Sequence, residues 1–101
     1  MINVIAALSV REGQTAAFES AVAKARPEML ADRGCLRYDL QRSSERESDY
    51  VLLEAYDSSE AIRRHRELRA YREFGEVVGS LLTAEPVIWV LEPVGDQCEP
   101  M

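Results

Sequence analysis

The stretch CLRYDLQRSSERESDYVLLEAY, residues 35–56, decides the fold because it contains two strand patterns joined by a polar loop. In its first part, Leu36, Tyr38 and Leu40 alternate with mainly polar residues, which is the period of a β-strand. Its last part, YVLLEAY, is apolar throughout except at Glu54. The polar loop RSSERESD between them predicts that the two strands form an antiparallel hairpin.

A strand and a helix precede this hairpin. INVIAALSV at the start of the chain has strand alternation, but its second set of residues is also largely apolar. A helix is predicted to open at Gly13, with a kink or restart near residue 26 because Pro27 removes a backbone hydrogen bond. The apolar stripe of this helix is Phe18, Val22, Ala25 and Met29.

A second helix and a last strand follow the hairpin. Asp57 or Ser58 in DSSEA can cap a helix start, and the helical pattern continues to about residue 82. We expect a break in this helix near Ala70 or Tyr71. The segment EPVIWVLEPV, bounded by prolines, predicts the final strand.

The resulting βαββαβ order predicts an α+β, ferredoxin-like fold with a four-stranded antiparallel sheet and helices on one face. Residues 1–95 form this domain, and residues 96–101 are expected to be a solvated C-terminal tail. The first and third strands are also apolar on the side that faces away from the helices. Because a monomer would expose that side to water, the pattern predicts a homodimer with the two sheets packed face to face.

Composition limits the functional classes. A chain of 101 residues with a net charge of −6 is one acidic domain, which argues against nucleic acid and anionic membranes as partners. No apolar run approaches the ~20 residues of a membrane span, and no basic residue precedes the first apolar run. Without CxxC spacing, Cys35 and Cys98 are expected to be free thiols in a cytoplasmic protein.

The only histidine lies in RRHRELRAY, residues 63–71. A helical projection places His65 on the inward arc, facing the sheet, which fits either a satisfied core histidine or a site residue. The charged residues around it fit a solvated, ion-paired face rather than a nucleic-acid site. The i to i+4 pairs are Glu60 with Arg64, Arg63 with Glu67, and Arg69 with Glu73.

Tyr71 lies at the edge of the next apolar stripe, near the expected bend of the helix. A histidine and a tyrosine that converge at a bend predict a pocket between helix and sheet, with His65 lining it and Tyr71 near its mouth. An apolar, aromatic lining with few polar groups suits a flat, weakly polar ligand. The predicted lining residues are Leu36, Tyr38, Ile62, Phe74 and Trp89.

Residues 34–74 resemble the antibiotic biosynthesis monooxygenase family, whose members show a Gly-Cys-x-x-Tyr strand, a polar hairpin, a strand ending in Trp or Tyr, and then Glu-Ala-x-x-x-His. The last strand, EPVIWVLEPV, is also similar. The resemblance implies a dimeric α/β barrel. It also implies a functional range from cofactor-free oxygenases of phenols and quinols to haem-degrading enzymes and enzymes acting on small signalling molecules.

Four positions of this chain depart from patterns within that family. The family's aromatic-ring oxygenases have a tryptophan at the position of His65, a tyrosine at Tyr71 and an asparagine at Ala61. The haem ligand of the haem-degrading branch would fall near Gly75, and a second histidine of the wider family at Ala70. Gly75 and the lack of any other histidine argue against haem, whereas Ala61 and Ala70 favour a domain without turnover. The sequence has no GxGxxG motif, P-loop or metal-ligand cluster, so we expect no cofactor and no metal.

The leading functional hypothesis is a cofactor-independent monooxygenase that oxidises an aromatic phenol or a quinol-type small molecule with O2. His65 is the candidate general base and Tyr71 the candidate group that orients the substrate oxygen. Two alternatives remain open from the sequence. One is a non-catalytic dimeric domain that binds a small molecule, and the other is an isomerase or lyase that uses His65 for proton transfer only.

Overall fold

The computed structural model describes residues 1–98 and confirms the predicted order of strands and helices. Its elements are β1 (Ile2–Ser9), α1 (Thr15–Leu30), β2 (Cys35–Arg42), β3 (Asp49–Tyr56), α2 (Ser59–Glu67), α3 (Arg69–Gly79) and β4 (Val87–Leu91). The strands form one sheet in the order β2-β3-β1-β4, and every neighbouring pair is antiparallel. The fold is therefore the α+β, ferredoxin-like fold expected from the sequence. Of the expected tail, 96–98 is exposed and 99–101 lies outside the described residues.

The core lies between one face of the sheet and the helices. Strand alternation points Val4, Ala6 and Leu8 of β1 toward the helices, with Leu52 of β3 beside them. Helix α1 buries the predicted apolar stripe, so that prediction is confirmed. Its buried residues are Phe18, Val22, Ala25 and Met29.

The predicted restart near residue 26 is wrong, because α1 continues through Pro27 to Leu30. Pro27 and Ala23 both lie on the exposed side of the helix. The carbonyl of Ala23, which loses its intrahelical partner at Pro27, therefore has access to water. On the opposite side, the burial of Ala25 and Met29 holds the helix against the sheet across the proline.

The second helix is divided at Leu68, two residues before the predicted break. Leu68 has an extended backbone (φ −63°, ψ 139°), and its N–H donates to the carbonyl of His65 at 3.2 Å. No glycine or proline marks this point, so the break comes from packing: α3 turns to bury Ala70 and Val78. The start of α2 is as expected, since the Ser58 hydroxyl accepts the Ala61 N–H at 3.2 Å.

Gly34 allows α2 to approach the start of β2. A Cβ at this position would lie 2.5 Å from Cβ of Ala61 and 2.7 Å from Nη2 of Arg64. The same contact is fixed by Arg64, whose Nε and Nη2 donate to the carboxylate of Asp32 at 2.9 and 3.0 Å. The predicted pairing of Arg64 with Glu60 is therefore wrong, because the side chain reaches across to Asp32 instead.

We expect Gly34→Ala to lower the free energy of unfolding by about 1–3 kcal/mol, the usual cost of overpacking. The added methyl would collide with Ala61, which has no flexible end that can move away. Gly75→Ala is the matched control, because its Cβ would meet nothing within 4 Å. Alanine is favoured over glycine within a helix, so this control should gain stability. Denaturant unfolding checks both, and an unchanged midpoint for Gly34→Ala would contradict the close approach.

The sheet face opposite the helices has an apolar centre in β1, β3 and β4 and polar residues on β2, and it is largely uncovered. Ile5 of β1 pairs with Leu53 of β3 on one side and with Trp89 of β4 on the other, which places all three on this face. The ring of Trp89 is 48% exposed, and every residue of β4 is exposed. Within residues 1–98, no helix is both long and apolar enough to span a membrane.

Candidate functional site

His65 lies on the inner side of α2, directly over β2 and β3, and is only 5% exposed. Three tyrosine rings surround it. The ring centroids of Tyr56 and Tyr71 are each 5.2 Å from that of His65 and meet it edge-on, while that of Tyr38 is 5.8 Å away. The sequence-based pairing of His65 with Tyr38 and Tyr71 is therefore present in the fold.

A buried carboxylate completes this cluster. Oε1 of Glu54 lies 3.7 Å from Nε2 of His65, and both side chains are at most 10% exposed. This distance is longer than a hydrogen bond, so the two groups lie next to each other without a hydrogen bond between them. The hydroxyl of Tyr56 donates to the same carboxylate oxygen. We call Glu54, Tyr56, His65, Tyr38 and Tyr71 the histidine cluster.

Sequence reasoning did not select Glu54 as a site residue, although a signal was present. Glu54 is the only polar residue in YVLLEAY, and strand alternation places it on the same face as Leu52. A charged residue on the buried face of a strand needs a partner, because an isolated charge is costly to remove from water. Such a residue opposite an inward-facing histidine is a candidate for a shared site.

Burial sets the charge state of the cluster. Loss of water, together with the positive charge of the nearby Arg66, lowers the pKa of His65 to about 4, and Asp32 opposes this shift. Burial also raises the pKa of Glu54, while the hydrogen bond from Tyr56 opposes that rise. His65 is therefore neutral near pH 7, and one of its two ring nitrogens has a free lone pair.

The second ring nitrogen of His65, Nδ1, is buried and has no hydrogen bond. Among the buried side-chain nitrogen and oxygen atoms of the described residues, Nδ1 of His65 alone has no hydrogen bond. Leaving a buried polar atom unpaired costs about 1–3 kcal/mol, so such atoms call for an explanation. A bound ligand that forms a hydrogen bond with Nδ1 would provide this explanation.

The predicted lining residues divide into two groups. Tyr38 belongs to the histidine cluster, and Ile62 is a partly buried residue packed against the core. Phe74 also packs against the core but lines a separate groove of about 180 Å³ between α1 and α3. These residues are on the same side of the sheet as His65.

Leu36 and Trp89 do not lie with the other predicted lining residues. Leu36 falls at an irregularity in the pairing of β2 with β3, and its side chain is 52% exposed. The pairing of Trp89 with Ile5 places its ring on the face that the helices do not cover. The sequence shows that these residues are apolar and in strands, but their faces depend on strand register, which shifts at a bulge.

Within residues 1–98, His65 is only 5% exposed and does not open onto the expected pocket. Five clefts on the surface of these residues are lined by other side chains, and His65 lines none of the five. Tyr71, partly buried and edge-on to the imidazole, lies where the mouth was expected. The sequence placed these two residues together correctly, but side-chain packing closes the space between them.

No group of three or more potential metal ligands occurs among the histidine, cysteine, aspartate and glutamate residues within 1–98. The two thiols are unpaired: Cys35 is buried beside the histidine cluster, and Cys98 is exposed. Desolvation raises the pKa of Cys35, so its thiol stays protonated near pH 7. The acid–base groups of this site are therefore the imidazole, the carboxylate and the tyrosine hydroxyls.

Solved structures with this fold come from several bacteria. A Caulobacter crescentus protein named for antibiotic biosynthesis monooxygenases is 33% identical, with 92% of this chain and 89% of that chain covered and a TM-score of 0.87. A Mycobacterium tuberculosis protein is 30% identical, with 96% and 98% covered and a TM-score of 0.88. A Nitrosomonas europaea structure, 22% identical over 93% and 99%, shows the same fold with a TM-score of 0.88.

Comparison of the sequence with curated proteins finds no match. The family model described as "Antibiotic biosynthesis monooxygenase" matches residues 1–77, which include all of β1 to α2 and every member of the histidine cluster. The match covers most of the chain, and the fold agrees with that of the solved structures. The chain therefore belongs to the antibiotic biosynthesis monooxygenase family.

Proposed function

We propose that this protein is a cofactor-independent monooxygenase that oxidises an aromatic phenol or a quinol-type small molecule with O2. The observation that carries the proposal is the buried, unpaired Nδ1 of a neutral His65. Family membership supports a monooxygenase, and the tyrosine rings around His65 suit an aromatic substrate. In this proposal, His65 is the general base and Tyr71 orients the substrate oxygen.

The substrate itself supplies the electrons for this reaction. Nδ1 of His65 takes the proton of a phenol, and the phenolate passes one electron to O2. The phenoxyl radical and superoxide then combine at a ring carbon, and the imidazolium returns its proton to form a hydroperoxide. Cleavage of the O–O bond with loss of the C–H proton gives a quinone and one molecule of water, so one oxygen atom enters the product.

A low pKa of His65 is compatible with the role of a base. The neutral imidazole is the form that accepts a proton, and it is the resting form near pH 7. A phenolate that forms beside the ring would raise its pKa, because opposite charges stabilise one another at short range. The buried site strengthens this attraction, since little water is present to screen it.

We propose that the substrate reaches Nδ1 by displacing Tyr71, whose ring meets the imidazole edge-on. Tyr71 follows the break at Leu68 and lies in the first turn of α3, whereas His65 is held within α2. A rotation of the Tyr71 side chain at this junction opens the imidazole without disturbing the sheet. The displaced hydroxyl is then in reach of a bound phenol, which gives Tyr71 its proposed role of orienting the oxygen.

Oxygen uptake with a panel of phenols and hydroquinones tests this function. The purified protein, treated with a chelator, should consume O2 with at least one panel member and form the quinone in equal amount. Turnover of a panel member without oxygen uptake would contradict the proposal and favour an isomerase or lyase. Binding of panel members without any turnover would equally contradict it and favour a non-catalytic binding domain.

A further inference from the structure

We propose that Glu54 is a positioning residue that holds neutral His65 as the tautomer protonated on Nε2, which leaves the lone pair of Nδ1 for the substrate proton. This inference rests on the proposed role of His65 as a base. It deepens that role by naming the group that makes Nδ1, rather than Nε2, the reactive atom.

The geometry distinguishes the two ring nitrogens. Nε2 faces the carboxylate of Glu54 at 3.7 Å, whereas Nδ1 is buried without a partner. A neutral imidazole carries one N–H and one lone pair. With the proton on Nε2, the N–H belongs to the ring nitrogen that lies 3.7 Å from a carboxylate oxygen. With the proton on Nδ1, a buried N–H would lack an acceptor, and the lone pair of Nε2 would lie beside the carboxylate. Both effects disfavour this tautomer.

Tyr56 fixes the carboxylate in this orientation. Its hydroxyl donates to Oε1 of Glu54, the same oxygen that lies nearest to Nε2 of His65. Its ring meets the imidazole edge-on, so one residue contacts both partners of the pair. A hydrogen bond to the charged form of an acid favours that form, and here it opposes the effect of burial on the pKa of Glu54.

The charge of the pair matters when the proton moves. The O–H bond of the substrate breaks, a bond forms between the proton and Nδ1, and the positive charge of the imidazolium then lies beside the carboxylate of Glu54. The other titratable groups around the pair are three tyrosines and a thiol, together with one guanidinium and one carboxylate. These are Tyr38, Tyr56, Tyr71, Cys35, Arg66 and Asp32.

Nitrogen NMR of the imidazole tests the tautomer directly, and the single histidine of the chain makes its assignment unambiguous. In the ¹⁵N-labelled wild-type protein at pH 7, Nε2 should show the chemical shift of a protonated nitrogen and Nδ1 that of an unprotonated one. The reverse pattern, or an equal mixture, would overturn the inference. This measurement needs neither a substrate nor a variant, so it stands even if the protein oxidises nothing in a substrate panel.

Two variants connect the tautomer to its cause. Glu54→Gln removes the charge, and Tyr56→Phe removes only the hydroxyl. Each variant should increase the fraction of His65 that is protonated on Nδ1, and the increase should be larger for Glu54→Gln. Glu19→Gln is the control, since Glu19 accepts the hydroxyl of Tyr50 at 2.5 Å in a similar pair away from His65. It should leave the tautomer unchanged. If Glu54→Gln does not fold, Tyr56→Phe carries the test, and an unaltered tautomer in the folded variants would overturn the inference.

The kinetic arm separates this inference from the proposed function. With an oxidisable substrate in hand, Glu54→Gln should lower kcat by about tenfold or more with little change in KM, since loss of a positioned base costs about 10²–10⁴-fold. A loss of kcat with an unaltered tautomer would overturn the role of Glu54 and leave the oxygenase proposal standing. An absence of oxygen uptake by the wild type would refute the oxygenase proposal while the tautomer result still decides the role of Glu54.

Discussion

Replacement of His65 by glutamine is expected to lower turnover of an oxidisable phenol by about 10²–10⁴-fold, the contribution of a general base. Glutamine fills most of the imidazole's space but cannot take a proton near pH 7. Alanine is less suitable, because His65 is 5% exposed and its truncation would leave a cavity among three tyrosines. Initial rates of oxygen uptake at saturating substrate measure the effect.

Arg63→Gln is the matched control for this prediction. Arg63 is exposed, lies two residues from His65 on α2, and is replaced by the same residue. The control should retain wild-type turnover, and thermal melts of both variants separate activity from stability. A His65→Gln variant that unfolds at a lower temperature but turns over at the wild-type rate would show that His65 is a core residue and not a base.

Introduction of a charge at Trp89 is expected to weaken self-association by roughly thirtyfold or more. We propose that a second copy of the chain covers the apolar sheet face that contains Ile5, Leu53 and Trp89, as the sequence predicted. A buried tryptophan at an interface commonly contributes about 2 kcal/mol or more, and about 1.4 kcal/mol corresponds to tenfold in affinity. Trp89→Glu also places a charge where the partner would exclude water.

Light scattering at micromolar concentration checks this prediction. The wild-type protein should have twice the 11.4 kDa mass of one chain, and Trp89→Glu should approach the mass of a single chain. Val77→Glu is the control, because Val77 is exposed to a similar degree (54% against 48%) but lies on α3, on the other side of the sheet. A monomeric wild-type protein would refute the dimer.

The sequence predicted the strands well because each is a short apolar or alternating segment bounded by polar loops or prolines. The hairpin was visible from two apolar segments around a polar loop, and the observed β2 and β3 end within a residue of the prediction. The break at Leu68 was misplaced because no glycine or proline marks it. The helix α1 continues through Pro27 because the proline lies on the side of the helix that faces water. The presence of a proline in the sequence does not show on which side it lies.

The sequence predicted only part of the site, because contacts between separate elements depend on packing and strand register. Helical spacing placed His65 inward and Tyr71 beside it, and both lie where expected. The partner of His65 is Glu54, which belongs to β3. The packing of α2 on β3 alone brings these two side chains together. Trp89 was wrongly assigned to the same pocket, because the sequence does not show which face of a strand an aromatic residue occupies. The register of β4 on β1 determines that face.

Oxygen-isotope labelling of the product tests the central claim most directly. Under ¹⁸O2, the chelator-treated wild-type protein should convert a phenol to a quinone that carries one ¹⁸O atom, as measured by mass spectrometry, with the second atom recovered in water. His65→Gln should form this labelled product about 10²–10⁴-fold more slowly. A product that carries no ¹⁸O, or one formed equally fast by His65→Gln, would contradict a monooxygenase in which the unpaired nitrogen of His65 starts the reaction.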